Sequence, residues 1–498
     1  MEKNERRSLP GRGGEVDLDI RDLAFGGAGV GDIDGLIVLV RGGFPGDRVR
    51  ARIRRKRSGY LEADVVELLK ASPRRRNPPC RHTAVCGGCA LMPLDEHEQT
   101  EIKQRQAVDL LQRIGGFKPA ELLPPLMLPS PLEYRNKMEF TFSRRPWTEV
   151  PPDPLAAPSD EERLALGLHP RGRFDAVFDV TDCRLQSPLT NRILTCLREE
   201  SIRLGLPVYD SRRDNGLLRH VITRISTHWP DLLVVLVTRD WDDRIRLLSA
   251  TLRRRVPQVT GVVLLINREK ATVARGDETH HIWGRPYIRE TIGGWTWRIG
   301  PSTFFQTSAA GAEKLLCKAL EWADPKSDET AIDLYCGAGT FTLPLARRMK
   351  QVVGIESVSE AVFEGRANAD RLGMKNVIFH DALVENILRP KHGNNREAAQ
   401  AEILERLKLK QSPDLILLDP PRAGLHPKAL PSLALLAPKR IVYISCNPST
   451  QARDAKALIE AGYTANRFQV CDLFPQTPHM ETILLMERAR AGGGRLKD

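Results

Sequence analysis

From about residue 301 onward, short β-branched apolar runs alternate with helix-like segments, and this alternation restricts the fold more than any other feature of the sequence. Strands and helices that alternate in this way favour an α/β fold with a doubly wound, mostly parallel sheet. The predicted strands cover residues 331–334, 352–355, 377–379, 415–418, 441–445 and 482–486. The predicted helices cover residues 342–348, 359–372, 428–436 and 455–461, and a charged, helix-prone insertion occupies 386–412.

Acidic and reactive side chains fall at the carboxyl ends of these strands, where open α/β sheets build their sites. The glycines of the loop at 333–340 let a ligand approach the backbone, and Glu356, about 20 residues on, suits ribose hydroxyls. Asp419 is held at a strand end by two prolines, Cys446 ends the next strand, and Glu481 precedes the last one. On spacing alone, the loop fits S-adenosylmethionine (SAM) as well as NAD, Glu356 could be a solvent-facing carboxylate, and a lone Cys446 could be an inert buried thiol.

The nine cysteines are an odd number spread over 498 residues, which favours metal-binding or catalytic roles over a disulfide scaffold. Cys80, Cys86 and Cys89 are close enough in sequence to converge on one metal centre, and Cys183 is the best candidate for a fourth ligand. Four thiolates can hold zinc or a 4Fe–4S cluster, and the spacing does not decide between them. A redox-active group of cysteines is the alternative.

Several short strands, separated by glycine-rich turns, occupy residues 15–70 and are typical of a small β-barrel. Basic residues between 48 and 57 lie among Phe25, Phe44 and Tyr60, a combination that suits RNA but also fits a solvated charged face. Over the whole chain, Lys and Arg exceed Asp and Glu by 75 to 63, which suits a polyanionic partner. The segment resembles the TRAM domain, an OB-like RNA-binding module, in its glycine-rich first turn and in Phe44-Pro45-Gly46-Asp47.

Three domains are expected from these changes in the arrangement of predicted strands and helices along the chain. They are a barrel at 10–70, a mostly β central domain with the four cysteines at 71–300, and a catalytic domain at 301–490. A helix is predicted at 94–116, ending at two glycines, and it could pack on the catalytic domain. The composition of residues 151–162 predicts an exposed insertion, and that of residues 1–14 predicts a polar leader. The longest apolar runs are too short to span a membrane.

Several groups of residues together resemble the RNA uracil-5 methyltransferases, the 5-methyluridine-forming enzymes of rRNA and tRNA. They are the four cysteines, Tyr134-Arg135-Asn136-Lys137-Met138, Phe304-Phe305-Gln306, residues 333–339, residues 418–422, Ser445-Cys446-Asn447-Pro448-Ser449-Thr450, and Phe474-Pro475 with His479-Met480-Glu481. The last two motifs are highly specific, and with the TRAM-like start the resemblance covers nearly the whole chain. Thr340 and Ser308 depart from the family pattern, because Asn is usual at both positions.

The resemblance implies a Rossmann-like, class I SAM-dependent methyltransferase sheet and a 4Fe–4S cluster, rather than zinc, on the four cysteines Cys80, Cys86, Cys89 and Cys183. It also implies SAM contacts at Gln306, Tyr335, Glu356 and Asp419. Cys446 would be the nucleophile that adds to C6 of uracil, and Glu481 would be the base that removes the proton from C5.

The expected function is therefore SAM-dependent methylation of C5 of a uridine in RNA. We expect 23S rRNA as the substrate, because the chain combines a TRAM-like start with cluster cysteines, and a tRNA T-loop uridine is the alternative. An iron–sulfur RNA-binding protein with an inactive methyltransferase domain is the alternative of another class, and the intact Cys446, Glu481 and Asp419 argue against it. The protein is expected to be a cytoplasmic monomer that binds RNA and no membrane.

Overall fold

The computed structural model describes residues 11–148, 164–270, 273–391 and 395–489, which exclude the predicted insertion at 151–162 and most of the predicted leader. No helix within these ranges is long and apolar enough to cross a membrane. The strands are β1 (Glu15–Asp19), β2 (Asp22–Leu23), β3 (Gly29–Ile33), β4 (Leu36–Arg41), β5 (Arg48–Arg57), β6 (Tyr60–Lys70), β7 (Glu121–Leu122), β8 (Leu126–Met127), β9 (Lys137–Ser143), β10 (Ala165–Leu168), β11 (Phe178–Asp179), β12 (Leu218–Ile225), β13 (Leu232–Thr238), β14 (Gly261–Ile266), β15 (Glu278–Gly284), β16 (Ile288–Ile292), β17 (Trp295–Ile299), β18 (Thr330–Leu334), β19 (Gln351–Glu356), β20 (Val377–Asp381), β21 (Leu415–Leu418), β22 (Arg440–Ser445), β23 (Tyr463–Asp472) and β24 (Glu481–Arg488). The helices are α1 (Glu96–Leu110), α2 (Pro188–Arg203), α3 (Arg244–Arg255), α4 (Ala309–Ala323), α5 (Thr342–Ala346), α6 (Ser359–Arg371), α7 (Val384–Ile387), α8 (Arg396–Arg406), α9 (Leu430–Leu436) and α10 (Pro448–Glu460).

The first six strands form one sheet in the order β1-β5-β6-β4-β3-β2. Alternate side chains of the longer strands share one face, and Val38, Val49 and Ile53 are completely or almost completely buried there. The amide of Arg21, after β1, donates to the carbonyl of Val30 in β3 (2.9 Å). The sheet therefore curls around its apolar face.

The central sheet has seven strands in the order β11-β10-β9-β12-β13-β14-β15. The expectation of a mostly β domain was incomplete, because α2 and α3 pack on this sheet, with Ile193 and Leu248 in the shared core. β13 and β14 run parallel, with Leu233 opposite Gly261. A parallel pair cannot be closed by a hairpin and needs a crossover, which α3 provides.

The C-terminal sheet has the order β20-β19-β18-β21-β22-β24-β23, and β7 and β8 add to β23. β18 to β22 pair in parallel, and β24 inserts antiparallel between β22 and β23. The chain moves outward from β18 in one direction and then in the other, so the switch point lies between β18 and β21. The predicted strands were all found, but β23 was not predicted, because polar residues such as Asn466 and Arg467 interrupt its apolar run.

Helix α1 connects the N-terminal and C-terminal sheets. Ile102 packs with Leu23 and Phe44 of the N-terminal region, and Ala107 belongs to the core beneath the C-terminal sheet. A π-helical segment, Leu111–Gly115, continues α1, and Gly116 ends it with a φ of 71°. A left-handed φ at this position suits glycine, which explains the two glycines in the sequence.

Candidate active site

Cys446 lies at the carboxyl end of β22, where the buried strand meets α10. The hydroxyl of Ser445 donates to the carbonyl of Asn447 (3.1 Å) and accepts from its amide (3.1 Å). Asn447 then caps α10 by accepting from the amide of Ser449 (3.2 Å), and Pro448 occupies the first turn. The thiol of Cys446 therefore projects from a turn that is fixed on both sides, and it is partly buried.

Glu481 is the neighbour of Cys446 across the sheet. β22 and β24 are antiparallel with Ser445 opposite Thr482, so continuing the register puts Cys446 next to Glu481, and the charge of Glu481 acts on the Cys446 thiol. Thr482 Oγ1 donates to the carbonyl of Ser445 (3.0 Å), which fixes this register. Burial, followed by the charge of Asp419, raises the pKa of Glu481 well above its ordinary value. A raised pKa makes the carboxylate a stronger base.

Asp419, just after β21, and Asp333, in β18, add two carboxyls to the same edge. Burial raises the pKa of each to about 7, and a hydrogen bond from Thr342 Oγ1 (2.6 Å) opposes the rise at Asp333. Asp333 is fully buried, whereas Asp419 remains partly open to solvent. Asp333 Oδ1 is buried without a hydrogen-bond partner among the residues that the structure describes. This concentration of acidic groups favours a cationic ligand, which would lower their pKa values.

The glycine loop after β18 turns tightly toward β19. Tyr335 has a φ of 64°, which is unusual for a residue other than glycine. The amide of Gly337 donates to Glu356 Oε2 (3.1 Å), and Glu356 Oε1 accepts from the amide of Val358 (2.9 Å). Oε1 also accepts from the amide of Ser357 (2.7 Å), so Oε2 is the oxygen that keeps acceptor capacity for a ribose hydroxyl. Three of the predicted SAM contacts, Tyr335, Glu356 and Asp419, thus lie at the ends of adjacent strands.

Gln306, the fourth predicted contact, precedes α4. Its carbonyl accepts from Asn136 Nδ2 (3.0 Å), so the central domain fixes the backbone here. Ser308 caps α4 by accepting from the amide of Gly311 (3.1 Å). Serine and asparagine are equally good caps, so the departure from the family pattern at Ser308 preserves this function.

Two residues of the site were present in the sequence motifs but had no role assigned to them. Arg422 Nη2 lies 2.7 Å from His479 Nδ1, and Asn447 Nδ2 donates to the carbonyl of Arg422 (3.0 Å). Burial, with Arg422 as the next cause, lowers the pKa of His479 to about 4, so this imidazole is neutral at pH 7. Burial, then Glu481 and Asp419, raises the pKa of the Cys446 thiol to about 11, and Arg422 opposes the rise. The signal for Arg422 was its place directly after Asp419 and the two prolines.

The four predicted cluster cysteines line one cavity of about 960 Å³, between the N-terminal sheet, the central sheet and the loop before β24. Burial, followed by the other cysteines, raises the pKa of Cys89, and burial raises the pKa of Cys183 to about 11. Yet no group of three or more His, Cys, Asp or Glu side chains in the described ranges is arranged to hold a metal ion. The thiols therefore share a space, but their sulfur atoms do not surround one point as they stand.

The basic surface of the N-terminal sheet differs from the expectation in one respect. Phe44 is 2% exposed and packs in the interior, with the guanidinium of Arg75 over its ring, so it cannot stack on a base. Phe25 is 44% exposed and stays available. Arg50 and Arg52 pair with carboxylates across β1 and β5, which reduces the free positive charge of this face.

The family model of tRNA (Uracil-5-)-methyltransferase matches residues 222–489, and the model of the TRAM domain matches residues 11–66. An uncharacterized RNA methyltransferase of Chlorobaculum tepidum is 39% identical over 463 residues, which are 92% of each chain. The chain belongs to the tRNA (uracil-5-)-methyltransferase family. It is an RNA (uracil-5-)-methyltransferase, a SAM-dependent enzyme, as the sequence predicted.

Other comparisons agree with this assignment. An uncharacterized RNA methyltransferase of Halalkalibacterium halodurans is 32% identical, over 95% of this chain and 96% of the relative. The solved structure of the Pyrococcus abyssi tRNA (uracil-54, C5)-methyltransferase in complex with S-adenosyl-L-homocysteine is similar, with a TM-score of 0.69 and 25% identity. The similarity covers 95% of this chain and 100% of that one. The mixed α/β methyltransferase fold and the N-terminal TRAM domain made of strands are therefore confirmed.

Proposed function

We propose that this enzyme methylates C5 of a uridine in RNA with Cys446 as the nucleophile and Glu481 as the base. The observation that carries the proposal is the register of β22 and β24, which makes these two side chains neighbours at the carboxyl edge of the sheet. A thiol and a buried carboxyl side by side are the two groups that this reaction requires of the protein.

The chemistry of the reaction explains why a cysteine and a carboxylate are required. C5 of uracil is a weak nucleophile, and addition of the Cys446 thiolate to C6 gives an enolate with electron density at C5. When bound, SAM supplies the electrophilic methyl group. Glu481 then takes the proton from C5, the C5–H electron pair forms the C5–C6 double bond, and Cys446 leaves as a thiolate. Arg422 favours the thiolate form, since its charge opposes the rise of the Cys446 pKa.

SAM would be held by Tyr335, Glu356, Asp419 and Gln306. Asp333 Oδ1, which is buried without a partner among the described residues, and the acidic groups around it fit a ligand that carries positive charge. The carboxylate of Glu356, oriented by the amides of Gly337 and Val358, would bind ribose hydroxyls.

A 4Fe–4S cluster on Cys80, Cys86, Cys89 and Cys183 is the second part of the proposal. The donor set fits, because four thiols border one cavity and two of them, Cys80 and Cys89, are buried. The choice of a cluster over zinc rests on the resemblance to the RNA uracil-5 methyltransferases, because four thiols can hold either group.

The RNA would bind across three domains, for which we propose the boundaries 10–70, 71–300 and 301–490. The cavity supports this arrangement, because Arg41 of the N-terminal sheet, Lys137 of the central sheet and His479 of the catalytic loop all line it. The target uridine would leave its stack to reach Cys446. Phosphates would pair with the basic side chains, and Phe25 would be free to stack on a base.

We propose 23S rRNA as the first substrate to test and the tRNA T-loop as the second. The similar structure from Pyrococcus abyssi carries the name of a tRNA (uracil-54, C5)-methyltransferase, which favours the second candidate. Since that similarity spans 95% of this chain, the presence of an N-terminal domain does not discriminate between the two RNAs. Mapping 5-methyluridine in rRNA and tRNA from cells with and without the gene would identify the substrate.

The mechanism is tested by Cys446→Ala and Glu481→Gln, assayed with SAM and bulk RNA from cells that lack the gene. Cys446→Ala should lose both methylation and any covalent protein–RNA species. Glu481→Gln should still form the adduct and transfer the methyl group but release product slowly, so a methylated protein–RNA species should persist on denaturing gels. Turnover by Cys446→Ala, or an adduct on Cys336 or Cys471, would contradict the assignment. Wild-type protein without activity on any RNA would favour an iron–sulfur RNA-binding protein.

A further inference from the structure

One face of α1 is polar and yet enclosed by protein. Gln99, Thr100 and Lys103 are at most 4% exposed, and with Glu96 they follow the helical spacing of a single face. Their partners belong to the end of β23 and the loop that follows it: Lys103 Nζ donates to Asp472 Oδ1 (2.6 Å) and to the carbonyl of Phe474 (3.2 Å). A buried polar face is unfavourable unless its groups are paired, so these contacts specify one position of the loop.

Gln476 is the centre of this contact. It is fully buried and has a φ of 70°, a conformation that a residue with a side chain rarely adopts unless its surroundings impose it. Its amide donates to Gln99 Oε1 (2.7 Å), and its Oε1 accepts from Gln99 Nε2 (3.1 Å) and from Arg76 Nη2 (3.1 Å). Its Nε2 donates to Glu96 Oε1 (3.1 Å) and its carbonyl accepts from the amide of Leu91 (3.0 Å).

The loop that these bonds hold, residues 473–480, leads directly to Glu481. Thr477 Oγ1 donates to the carbonyl of Phe474 (2.8 Å) and accepts from the amide of His479 (3.2 Å), so the turn at Gln476 continues without a break toward the site. The residues that bond to Gln476 lie before and after the segment that carries Cys80, Cys86 and Cys89. Along the chain they are between 377 and 400 positions from Gln476.

We infer that Gln99 and Gln476 are positioning residues for proton removal: the polar face of α1 braces the 473–480 loop so that Glu481 stands at the C5 proton of the methylated adduct. The inference rests on the proposed role of Glu481. In the described structure, none of the hydrogen bonds of Gln99 and Gln476 reaches Cys446 or the strand before it, so their loss should slow proton removal more than addition to C6 and methyl transfer. A displacement of the base by a fraction of an ångström slows only the step in which the C5–H bond breaks.

The test separates these two steps in a single turnover. RNA that carries tritium at C5 of uridine is mixed with enzyme and SAM with a radiocarbon-labelled methyl group, and methyl incorporation and tritium release are followed together. In the wild type the two signals should rise together. In Gln99→Met, which keeps the side-chain volume but removes both bonds to Gln476, tritium release should lag methyl incorporation by about 10- to 100-fold in rate.

Gln104→Met is the matched control, since Gln104 lies on the same helix but donates to the carbonyl of Leu123 (3.2 Å), away from the loop. Its two signals should stay together. Were Gln99→Met to give no folded protein, Gln476→Gly would test the brace from the loop side, because glycine accepts the left-handed φ and lacks the side-chain bonds.

Equal slowing of methyl incorporation and tritium release in Gln99→Met would mean that the contact only stabilises the fold, and the inference would be wrong. Glu481→Gln, measured in parallel, distinguishes the two possible failures. A lag in Glu481→Gln without one in Gln99→Met refutes the brace alone. No lag in Glu481→Gln refutes the proposed base itself, and the inference with it.

Discussion

Replacing Lys103 by methionine should destabilise the protein strongly, by about 3–5 kcal/mol at pH 7. Lys103 and Asp472 form an ion pair at 2.6 Å with side chains only 1% and 3% exposed. Burial lowers the pKa of Lys103 even though Asp472 opposes that effect. Methionine fills similar space but leaves the Asp472 carboxylate with the hydroxyl of Thr100 (3.1 Å) as its remaining side-chain partner in the described structure. The expected loss is large because one partner of a buried ion pair is removed and the other charge stays in the interior without compensation.

Urea unfolding of wild type and variant at pH 7, followed by tryptophan fluorescence, measures the difference, provided that the slope of the transition is unchanged. The double variant Lys103→Met/Asp472→Asn should recover most of the loss, because no buried charge remains. Lys326→Met, which removes an exposed ion pair with Asp324, is the control and should leave the free energy of unfolding unchanged. A deficit below about 1 kcal/mol at pH 7 would refute this reasoning.

Three further results are expected. Because the pKa of Cys446 is raised to about 11, formation of the adduct with RNA that contains 5-fluorouridine should increase about tenfold per pH unit from pH 7 to 9, and a flat profile would exclude the thiolate as the limiting species. Protein purified without oxygen should be brown and hold about four irons per chain, whereas stoichiometric zinc without iron would contradict the cluster. Removal of residues 1–70 should weaken RNA binding and reduce its salt dependence while SAM binding is retained, and an unchanged salt slope would show that this domain does not contact phosphates.

The C-terminal strands were predictable because they are buried on both faces. Such strands consist of continuous β-branched and leucine-rich runs, which the sequence displays at 415–418 and 441–445. Segments that are buried on one side only were less visible. The helices α2 and α3 and the outer strand β23 mix polar with apolar residues, and their identity depends on which sheet face they cover.

The sequence by itself determined where the proposed reactive groups lie along the chain. The apolar run before Asp419 is followed by prolines, and the run before Cys446 is followed by a helix cap. These local signals put both side chains at the carboxyl ends of strands, independently of distant parts of the chain. The acidic residue Glu356 follows the glycine loop at the spacing that a ribose site needs. Local rules of this kind act over a few residues, so they can be read directly from the chain.

Only the tertiary structure decided how those groups are assembled. The insertion of β24 between β22 and β23, with Ser445 opposite Thr482, makes Glu481 the neighbour of Cys446. The contact of Gln99 with Gln476 joins residues 377 positions apart. The sequence of the loop itself does not indicate that it packs on a distant helix. Strand order and long-range hydrogen bonds depend on the burial of whole faces, and no periodicity within a single segment encodes them.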